Sequence, residues 1–263
     1  MQPSLRVRKP AVAGTFYPQR RDELVVALDA AWAGRVVTQN PPPKAIIVPH
    51  AGYIYSGAVA ASAYATLRDS VGLIRRVVLL GPSYHYALRG FALPEVDAWQ
   101  TPLGLVPLDT TAMTRLTARG DVVRTDLVLD REHALEVHVP FLQTVLGQIF
   151  QLVPIVVGQV PARSVADVLQ TLWGGPETLI VVSTDLSHYL PLEEARKHDA
   201  ATVQHIERLA GDALLSDDCC GRFPVAGLLL AAHDHKMQCR AVARRGNCVH
   251  RLRGCLHSTR ILR

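Results

Sequence analysis

Short apolar runs rich in β-branched residues alternate along this chain with longer segments of helical periodicity. The runs that predict strands are residues 45–48, 76–80, 152–157 and 179–182. The segments that predict helices are residues 21–33, 57–67, 134–146 and 164–172. Near-continuous apolar strands separated by helices are typical of a sheet that is covered on both faces. We therefore expect one α/β domain over residues 1–263, with a central, largely parallel mixed sheet flanked by helices.

Composition narrows the functional classes. Hydrophobic residues make up 49% of the 263 residues, yet no apolar run approaches the roughly 18 residues of a membrane-spanning helix. Residues 1–18 lack the apolar core of a secretory signal, so we expect a cytoplasmic protein that does not engage a membrane. The net charge is +5, with arginines frequent near the C-terminus, but no nucleic-acid motif accompanies them. We therefore expect no nucleic-acid partner.

The five cysteines all lie in the last fifth of the chain, and no two of them form a CxxC pair. This pattern favours neither a disulfide framework nor a structural zinc knuckle. Cys219 and Cys220 precede an apolar segment, residues 225–232, that predicts a helix. A thiolate at a helix entrance is stabilised by backbone N–H groups and the helix dipole, which suits either metal binding or nucleophilic attack. For Cys219 we keep the interpretation of a buried, inert side chain.

Three histidines follow three of the predicted strands. His50 comes two residues after the run 45–48, His85 lies just past the run 76–80, and His188 follows the run 179–182. In open α/β sheets, functional groups gather at the carboxyl ends of strands. A lone histidine at a strand end is usually structural, but three at one edge favour a shared site. Imidazoles joined by a carboxylate or a thiolate are what a first-row transition metal binds.

A further polar cluster lies at the start of the predicted helix 134–146. Glu132 and Glu136 are four residues apart and share a helix face, with His133 beside them. The order EHxxE reverses the order of the metalloprotease HExxH motif, so a zinc hydrolase stays an alternative. A structural interpretation also stays open, because carboxylates favour the positive end of a helix dipole.

Eight ordered motifs in the chain match one protein family. They are RKPAVAGTFYP, IIVPHAGYIYSG, VVLLGPSYH, VDAWQTPLG, EHALEVHVPFLQ, PIVVG, VVSTDLSHY and CCGRFPVAGLLLA, spread over residues 8 to about 232. With these motifs the chain resembles the Memo family, whose bacterial and archaeal members are called AmmeMemoRadiSam system protein B. The resemblance implies a fold like that of the class III extradiol ring-cleaving dioxygenases, which use a non-haem iron(II) site.

Carried over residue by residue, the resemblance implies His50, His85 and Cys220 as metal ligands. It places Asp185 and His188 next to the metal as acid or base groups. Weaker support extends to residues that would line the same cavity, namely Tyr53, Ser83, His133, Glu136, His138 and Arg222. The metal implied is iron or copper, with zinc as another option. The partners implied are a small-molecule substrate or a peptide, with a pathway link to a radical S-adenosylmethionine protein and an AMMECR-domain protein.

The chain departs from the family pattern in two places. The family commonly has two adjacent histidines after GPS, whereas this chain has Tyr84 before His85, so we expect His85 to be the ligand. The end of the chain, residues 245–263, matches no family motif. Codons for residues 251–257 can be chosen that, read one base later, encode a strand-like sequence of the family type. We therefore hypothesise a frameshift near Arg245 and expect the last strand to be lacking; an unshifted genomic read would refute it.

Three functional classes are consistent with these residues. The first is a metal-dependent oxidoreductase that acts on a small substrate, with an aromatic ring as one option. The second is a non-enzymatic metal- or peptide-binding protein of the adaptor type. The third is a hydrolase with a cysteine nucleophile, built from Cys220, His188 and Asp185. A thiolate ligand is softer than a carboxylate and favours copper(I) or zinc, which weakens the expectation of dioxygenase activity.

Overall fold

Two sheets and the helices around them form the fold. The computed structural model describes residues 4–34, 42–245 and 256–262. The strands are β1 (Val7–Arg8), β2 (Ala45–Val48), β3 (Arg76–Pro82), β4 (Phe91–Leu93), β5 (Ala98–Thr101), β6 (Gly104–Pro107), β7 (Val122–Arg124), β8 (Gln151–Val157), β9 (Thr178–Ser183), β10 (Gln238–Arg245) and β11 (Leu256–Leu262).

The helices are α1 (Arg21–Trp32), α2 (Tyr53–Tyr64), α3 (Thr110–Leu116), α4 (His133–Glu136), α5 (Val139–Leu146), α6 (Ala162–Leu172), α7 (Leu192–Glu207) and α8 (Arg222–Asp234). Short 3-10 helices cover Ala65–Ser70 and Gly211–Ala213. Helices α6 and α8 pack on each other, and α8 also packs on β3 and β9. Helix α2 packs on β2, and α4 packs on β3.

The large sheet has the strand order β10-β11-β2-β9-β3-β8-β4-β7, and a small sheet has the order β1-β5-β6. The centre of the large sheet is parallel, because β2 pairs with β9, β9 with β3 and β3 with β8 in parallel. Antiparallel pairs join β8 to β4 and β10 and β11 to the β2 edge. All residues of β2 and of β9 are buried, as expected for strands covered on both faces. The predicted α/β class with a largely parallel mixed sheet is confirmed.

Most predicted elements match observed ones with small shifts at their ends. The run 45–48 is β2, and β3 extends two residues further than predicted because Gly81 and Pro82 also pair with β8. The predicted helix 134–146 is divided into α4 and α5 around His138. Pro140, at the first turn of α5, cannot donate the backbone hydrogen bond that a continuous helix would need there.

The C-terminal expectation is wrong in one respect. A last strand, β11, is present and pairs antiparallel with β2 through residues 259–261. The hypothesised frameshift begins near Arg245. The residues that follow, 246–255 with Cys248 and Cys255 among them, lie outside the described residues. Within the described ranges, no helix combines the length and apolarity that crossing a bilayer requires.

Candidate functional site

Three neighbouring parallel strands each deliver one polar side chain to the same edge of the large sheet. His50 lies two residues beyond the end of β2, Asp185 two residues beyond β9, and Tyr84 two residues beyond β3. Because β9 lies between β2 and β3 and all three run in parallel, these positions meet at the carboxyl edge of the sheet. Cys220, just before helix α8, completes the group.

Side-chain atoms of this group converge on His50 Nε2. The Tyr84 hydroxyl lies 2.9 Å from this nitrogen and the Cys220 Sγ lies 3.5 Å from it. The nearer carboxylate oxygen of Asp185, Oδ2, is 4.0 Å away. The Tyr84 hydroxyl and the Cys220 sulfur thus approach the same ring nitrogen. We call His50, Tyr84, Asp185 and Cys220 the edge cluster.

The hydrogen bonds around His50 determine which ring nitrogen faces the cluster. Ser183 Oγ lies 2.6 Å from His50 Nδ1 and donates its own proton to the carbonyl of Ala134 at 2.6 Å. A hydroxyl has one proton, so Ser183 must accept from Nδ1–H. In a neutral imidazole, the free lone pair is therefore on Nε2 and faces Cys220 and Tyr84. This is the tautomer in which a histidine binds a metal through Nε2.

Cys220 is held in place by reciprocal contacts with the end of β9. Its backbone N–H donates to the Asp185 carbonyl at 3.2 Å, and the Asp185 backbone N–H donates to its sulfur, also at 3.2 Å. The next residue, Gly221, has no room for a side chain, because an added Cβ would lie 2.6 Å from the Ser183 carbonyl oxygen. The glycine allows the chain to approach β9 closely and sets the sulfur against His50.

Charge couples the histidine and the cysteine. Burial alone would lower the pKa of His50, but the negative charges of Asp185 and Cys220 outweigh it and raise that pKa to about 9. Burial alone would raise the pKa of Cys220, but the adjacent His50 outweighs it and lowers that pKa. Without a bound metal, the pair therefore favours a thiolate beside an imidazolium. The position of Cys220 at the positive end of helix α8 stabilises the thiolate further.

His133 lies next to the edge cluster. It is the first residue of α4, and its ring centroid is 5.4 Å from that of His50 and 4.9 Å from that of Tyr84. Its Nδ1 lies 3.4 Å from the Glu132 carboxylate. Glu132 caps α4 by accepting from the Ala134 backbone N–H and also accepts from the Tyr84 backbone N–H. The segment 132–134 thus borders the cluster and anchors the loop after β3.

Two of the predicted site histidines lie away from the cluster. His85 is exposed and, within the described residues, forms no hydrogen bond, ion pair or ring contact with His50 or Cys220; the residue two positions past β3 is Tyr84. His188 is exposed as well, and its one ring contact is with Tyr189, at 6.0 Å. The described structure therefore brings together His50, Cys220 and Asp185 of the predicted ligand and acid–base residues, but neither of these two.

The weaker predictions separate into structural and peripheral positions. Glu136 is buried, and its carboxylate accepts hydrogen bonds from four donors of the N-terminal segment: the side chains of Arg8 and Tyr17 and two backbone N–H groups. His138 is buried against the Tyr64 hydroxyl at 2.9 Å, and burial lowers its pKa well below the usual value. Neither residue reaches the cluster. Both positions instead hold the helix pair α4 and α5 against its surroundings.

The other three candidates lie around cavities or on the helix start. Tyr53 donates to the Val137 carbonyl and lines a cavity of about 750 Å³ between the N-terminal segment and helices α1 and α2. Ser83 lines a different cavity, described next, and donates to the Tyr86 carbonyl. The Arg222 guanidinium stacks on the Phe223 ring at 4.4 Å.

A cavity of about 340 Å³ opens beside Cys220. Its volume is at the lower end of the range for small-molecule sites. Aromatic side chains form part of its wall, and polar groups of Ser83, His85 and Gln159 border it. The aromatic residues are Tyr84, Tyr86 and Phe223. His85 therefore borders this cavity even though it does not join the cluster.

The donors in the edge cluster suit a first-row transition metal. A thiolate sulfur and an imidazole nitrogen with a free lone pair face each other at 3.5 Å, and two oxygen donors lie beside them. Within the described ranges, however, no group of three or more His, Cys, Asp or Glu side chains could hold a metal ion. His50 and Cys220 are thus the predicted ligands that the structure brings together.

Sequence reasoning missed Tyr84 and Ser183 as parts of the site. The sequence pattern marks the histidines, whereas the feature that the three strand ends share is the offset of two residues beyond the last paired position. The signal for Tyr84 was thus the length of β3, which depends on pairing with β8. Ser183 is the last residue of β9, and no sequence signal marked its contact with His50.

Comparisons with known proteins identify the family. A family model described as Memo-like protein matches residues 8–250. A MEMO1 family protein of Aquifex aeolicus is 38% identical over 213 residues, covering 80% of this chain and 78% of its own. MEMO1 family proteins of Methanopyrus kandleri and Thermotoga maritima are 32% and 36% identical, covering 85% and 84% of this chain and 86% and 87% of their own. With the motifs and the fold described above, this chain belongs to the Memo family.

Proposed function

We propose that this protein binds one iron or copper ion through His50 and Cys220 and, with it, oxidises a small substrate in the cavity beside Cys220. The observation that carries this proposal is the approach of His50 Nε2 to Cys220 Sγ at 3.5 Å, with the other ring nitrogen anchored to Ser183. Anchoring of that kind orients a ligand histidine and keeps its lone pair free for a metal.

The metal would be soft or borderline, because one ligand is a thiolate. A bound iron or copper ion would supply the dioxygen-activating redox chemistry that side chains alone do not provide. The resemblance to class III extradiol dioxygenases leads us to include substrates with two adjacent hydroxyl groups on an aromatic ring in the proposal. Cavity size favours a small substrate, and the rings of Tyr84, Tyr86 and Phe223 favour a flat one.

The residues of this chain divide the remaining tasks. Asp185 has one carboxylate oxygen held by the His50 backbone N–H at 2.8 Å, which leaves Oδ2 to accept a proton from a substrate group. It takes the acid–base position for which His188 was also predicted. Gln159 and Ser83, at the cavity wall, offer hydrogen bonds that would orient the substrate.

Metal analysis of protein purified anaerobically without an affinity tag tests the proposal. We expect close to one iron or copper per chain in the wild type and loss of most of it in His50→Ala and Cys220→Ser. Matched controls are His85→Ala and Cys219→Ala, which remove the same residue types outside the cluster and should keep the metal. Wild-type protein that holds no metal and gains none on reconstitution would contradict the proposal.

Oxygen consumption separates an enzyme from a binding protein. A metal-loaded wild type that consumes dioxygen with catechol-type substrates supports the oxidoreductase. Tight metal binding without any oxygen consumption across such substrates would instead favour the non-enzymatic metal-binding protein.

A second candidate is a cysteine nucleophile, and the charge state of the pair favours it. The lowered pKa of Cys220 and the raised pKa of His50 describe a thiolate–imidazolium pair, the form in which a cysteine attacks an acyl group. The partner histidine would be His50, in place of the exposed His188. If Cys220 is the nucleophile, activity should survive chelators and be lost when Cys220 is alkylated. If the metal proposal is right, chelators should abolish activity.

A further inference from the structure

The position of the third predicted metal ligand is occupied by a tyrosine. The Tyr84 hydroxyl lies 2.9 Å from His50 Nε2, the same nitrogen that the Cys220 sulfur approaches at 3.5 Å, so it lies beside both predicted ligands. Its ring meets that of His50 edge-on, with the centroids 5.6 Å apart. His85, one residue further along, is exposed and forms no hydrogen bond or ring contact with either of them in the described part of the chain.

The loop after β3 holds Tyr84 in this position. Its backbone N–H donates to the Glu132 carboxylate at 3.1 Å, and its ring packs against His133, with centroids 4.9 Å apart. The next residues are fixed by the hydrogen bond from Ser83 Oγ to the Tyr86 carbonyl. The hydroxyl is therefore placed by contacts on two sides of the residue.

We propose that Tyr84 is the third protein ligand of the metal and binds it as a phenolate. His50 and Cys220 supply two donors, and the described part of the chain offers no third His, Cys, Asp or Glu that would complete a site. The phenol oxygen is the donor that lies beside both of them, 2.9 Å from His50 Nε2. This inference rests on the proposed metal binding and adds to it the identity of the third ligand.

The ligand set has a chemical consequence for the metal. Binding replaces the phenol proton, which passes to solvent, and the site then presents a thiolate, a phenolate and a neutral imidazole. Two anionic donors, one of them a hard oxygen, stabilise the ferric state relative to a site with one thiolate and two imidazoles. The protein should therefore hold iron(III) more tightly than a protein with histidine at this position.

Loading with iron(III) and recording resonance Raman spectra tests the inference, because phenolate bound to iron(III) gives ring vibrations that are enhanced in its charge-transfer band. We expect these vibrations in the wild type and in His85→Ala, and their absence in Tyr84→Phe. Deuteration of the tyrosine rings should shift them. Tyr84 is 43% exposed, so its replacement by phenylalanine leaves the core intact.

Cobalt(II) titration adds an independent readout through the thiolate-to-cobalt absorption band, which reports Cys220 whether or not Tyr84 binds. We expect Tyr84→Phe to lower the affinity by at least about tenfold. Tyr84→His should bind cobalt(II) but show no phenolate vibrations with iron(III).

The two levels of the proposal fail in different ways. If the wild type and Tyr84→Phe bind iron(III) and cobalt(II) equally and neither shows phenolate vibrations, Tyr84 is not a ligand and the metal site itself stands. If neither the wild type nor any variant binds iron(III) or cobalt(II), both the metal proposal and this inference are overturned.

Discussion

Glu136→Gln should lower the free energy of unfolding by about 3–5 kcal/mol, because the charge that it removes is buried and paired. The Glu136 side chain is 1% exposed. Its Oε2 accepts from Arg8 Nη1 at 2.6 Å and from the Ala11 backbone N–H at 2.8 Å. Its Oε1 accepts from the Val12 backbone N–H at 3.0 Å and from the Tyr17 hydroxyl at 2.7 Å. The carboxylate thus ties the N-terminal segment to helix α4.

The magnitude follows from what an amide can replace. Glutamine keeps one oxygen, so its NH₂ group must face two of the four donors. If it replaces Oε1, the Tyr17 hydroxyl can turn to accept, but the Val12 N–H loses its acceptor at about 1–3 kcal/mol. Arg8 keeps its bonds to the Leu129 and Glu132 carbonyls but becomes a buried cation without an anion. Together these effects remove a fifth or more of a typical stability of about 5–15 kcal/mol.

Urea unfolding followed by circular dichroism measures this change. The matched control is Asp22→Asn, which makes the same charge-to-amide exchange in an ion pair with Arg20 whose side chains are 67% and 68% exposed. Exposed pairs contribute about 0–1 kcal/mol, so the control should move the midpoint little. Equal losses in the two variants would refute the reasoning, since they would mean that the buried carboxylate is not the anchor of the N-terminal segment.

Three further predictions concern the edge cluster and the fold around it. Gly221→Ala should destabilise the protein and weaken metal binding, measured by urea unfolding and cobalt(II) titration, because its Cβ would lie 2.6 Å from the Ser183 carbonyl oxygen; unchanged values would contradict the close approach. In chelator-treated protein, alkylation of Cys220 should reach half its maximal rate below pH 9, because the thiolate is the reactive form and His50 lowers its pKa. Burial raises the pKa of Cys219 to about 12, so Cys219 should stay unmodified when the same digest is analysed by mass spectrometry. Equal labelling of the two cysteines would refute the ion pair between His50 and Cys220. Asp109→Ala should cost about 1–3 kcal/mol in urea unfolding, because the carboxylate caps α3 and pairs with a partly buried arginine; a loss under about 0.5 kcal/mol would contradict this.

The central fold was predictable because its strands are long, apolar and β-branched. The run 45–48 has the bounds of β2, the run 152–157 differs from β8 by one residue at its start, and the run 179–182 differs from β9 by one residue at each end. The sequence did not predict β4 or β7, which are three residues long, because such short strands carry too little periodicity to separate from a loop. Helix α7 was missed for a different reason, since it is largely polar and few of its residues face the core.

The candidate site was predictable in its location and only partly in its members. The spacing of Glu132 and Glu136 predicts a shared helix face, yet Glu136 anchors the N-terminal segment and Glu132 caps α4. Sequence spacing specifies which residues share a face but not which partners that face meets. The partners of Glu136 come from residues 8–17, more than a hundred positions away in the sequence. Only the assembled fold shows that the carboxylate is fully used in structure.

The edge cluster shows that the offset from a strand end, rather than residue type, decides which side chain reaches the site. His50, Asp185 and Tyr84 stand at the same offset from three parallel neighbours, whereas His85 and His188 stand one and three residues further on. Successive residues past a strand turn to different sides, so a shift of one position is enough to exclude an imidazole. The family motif supplies two histidines after GPS, and this chain has tyrosine at the position that faces His50. Under the proposed metal binding, this tyrosine would change the donor set at the centre of the site, rather than a residue at its margin.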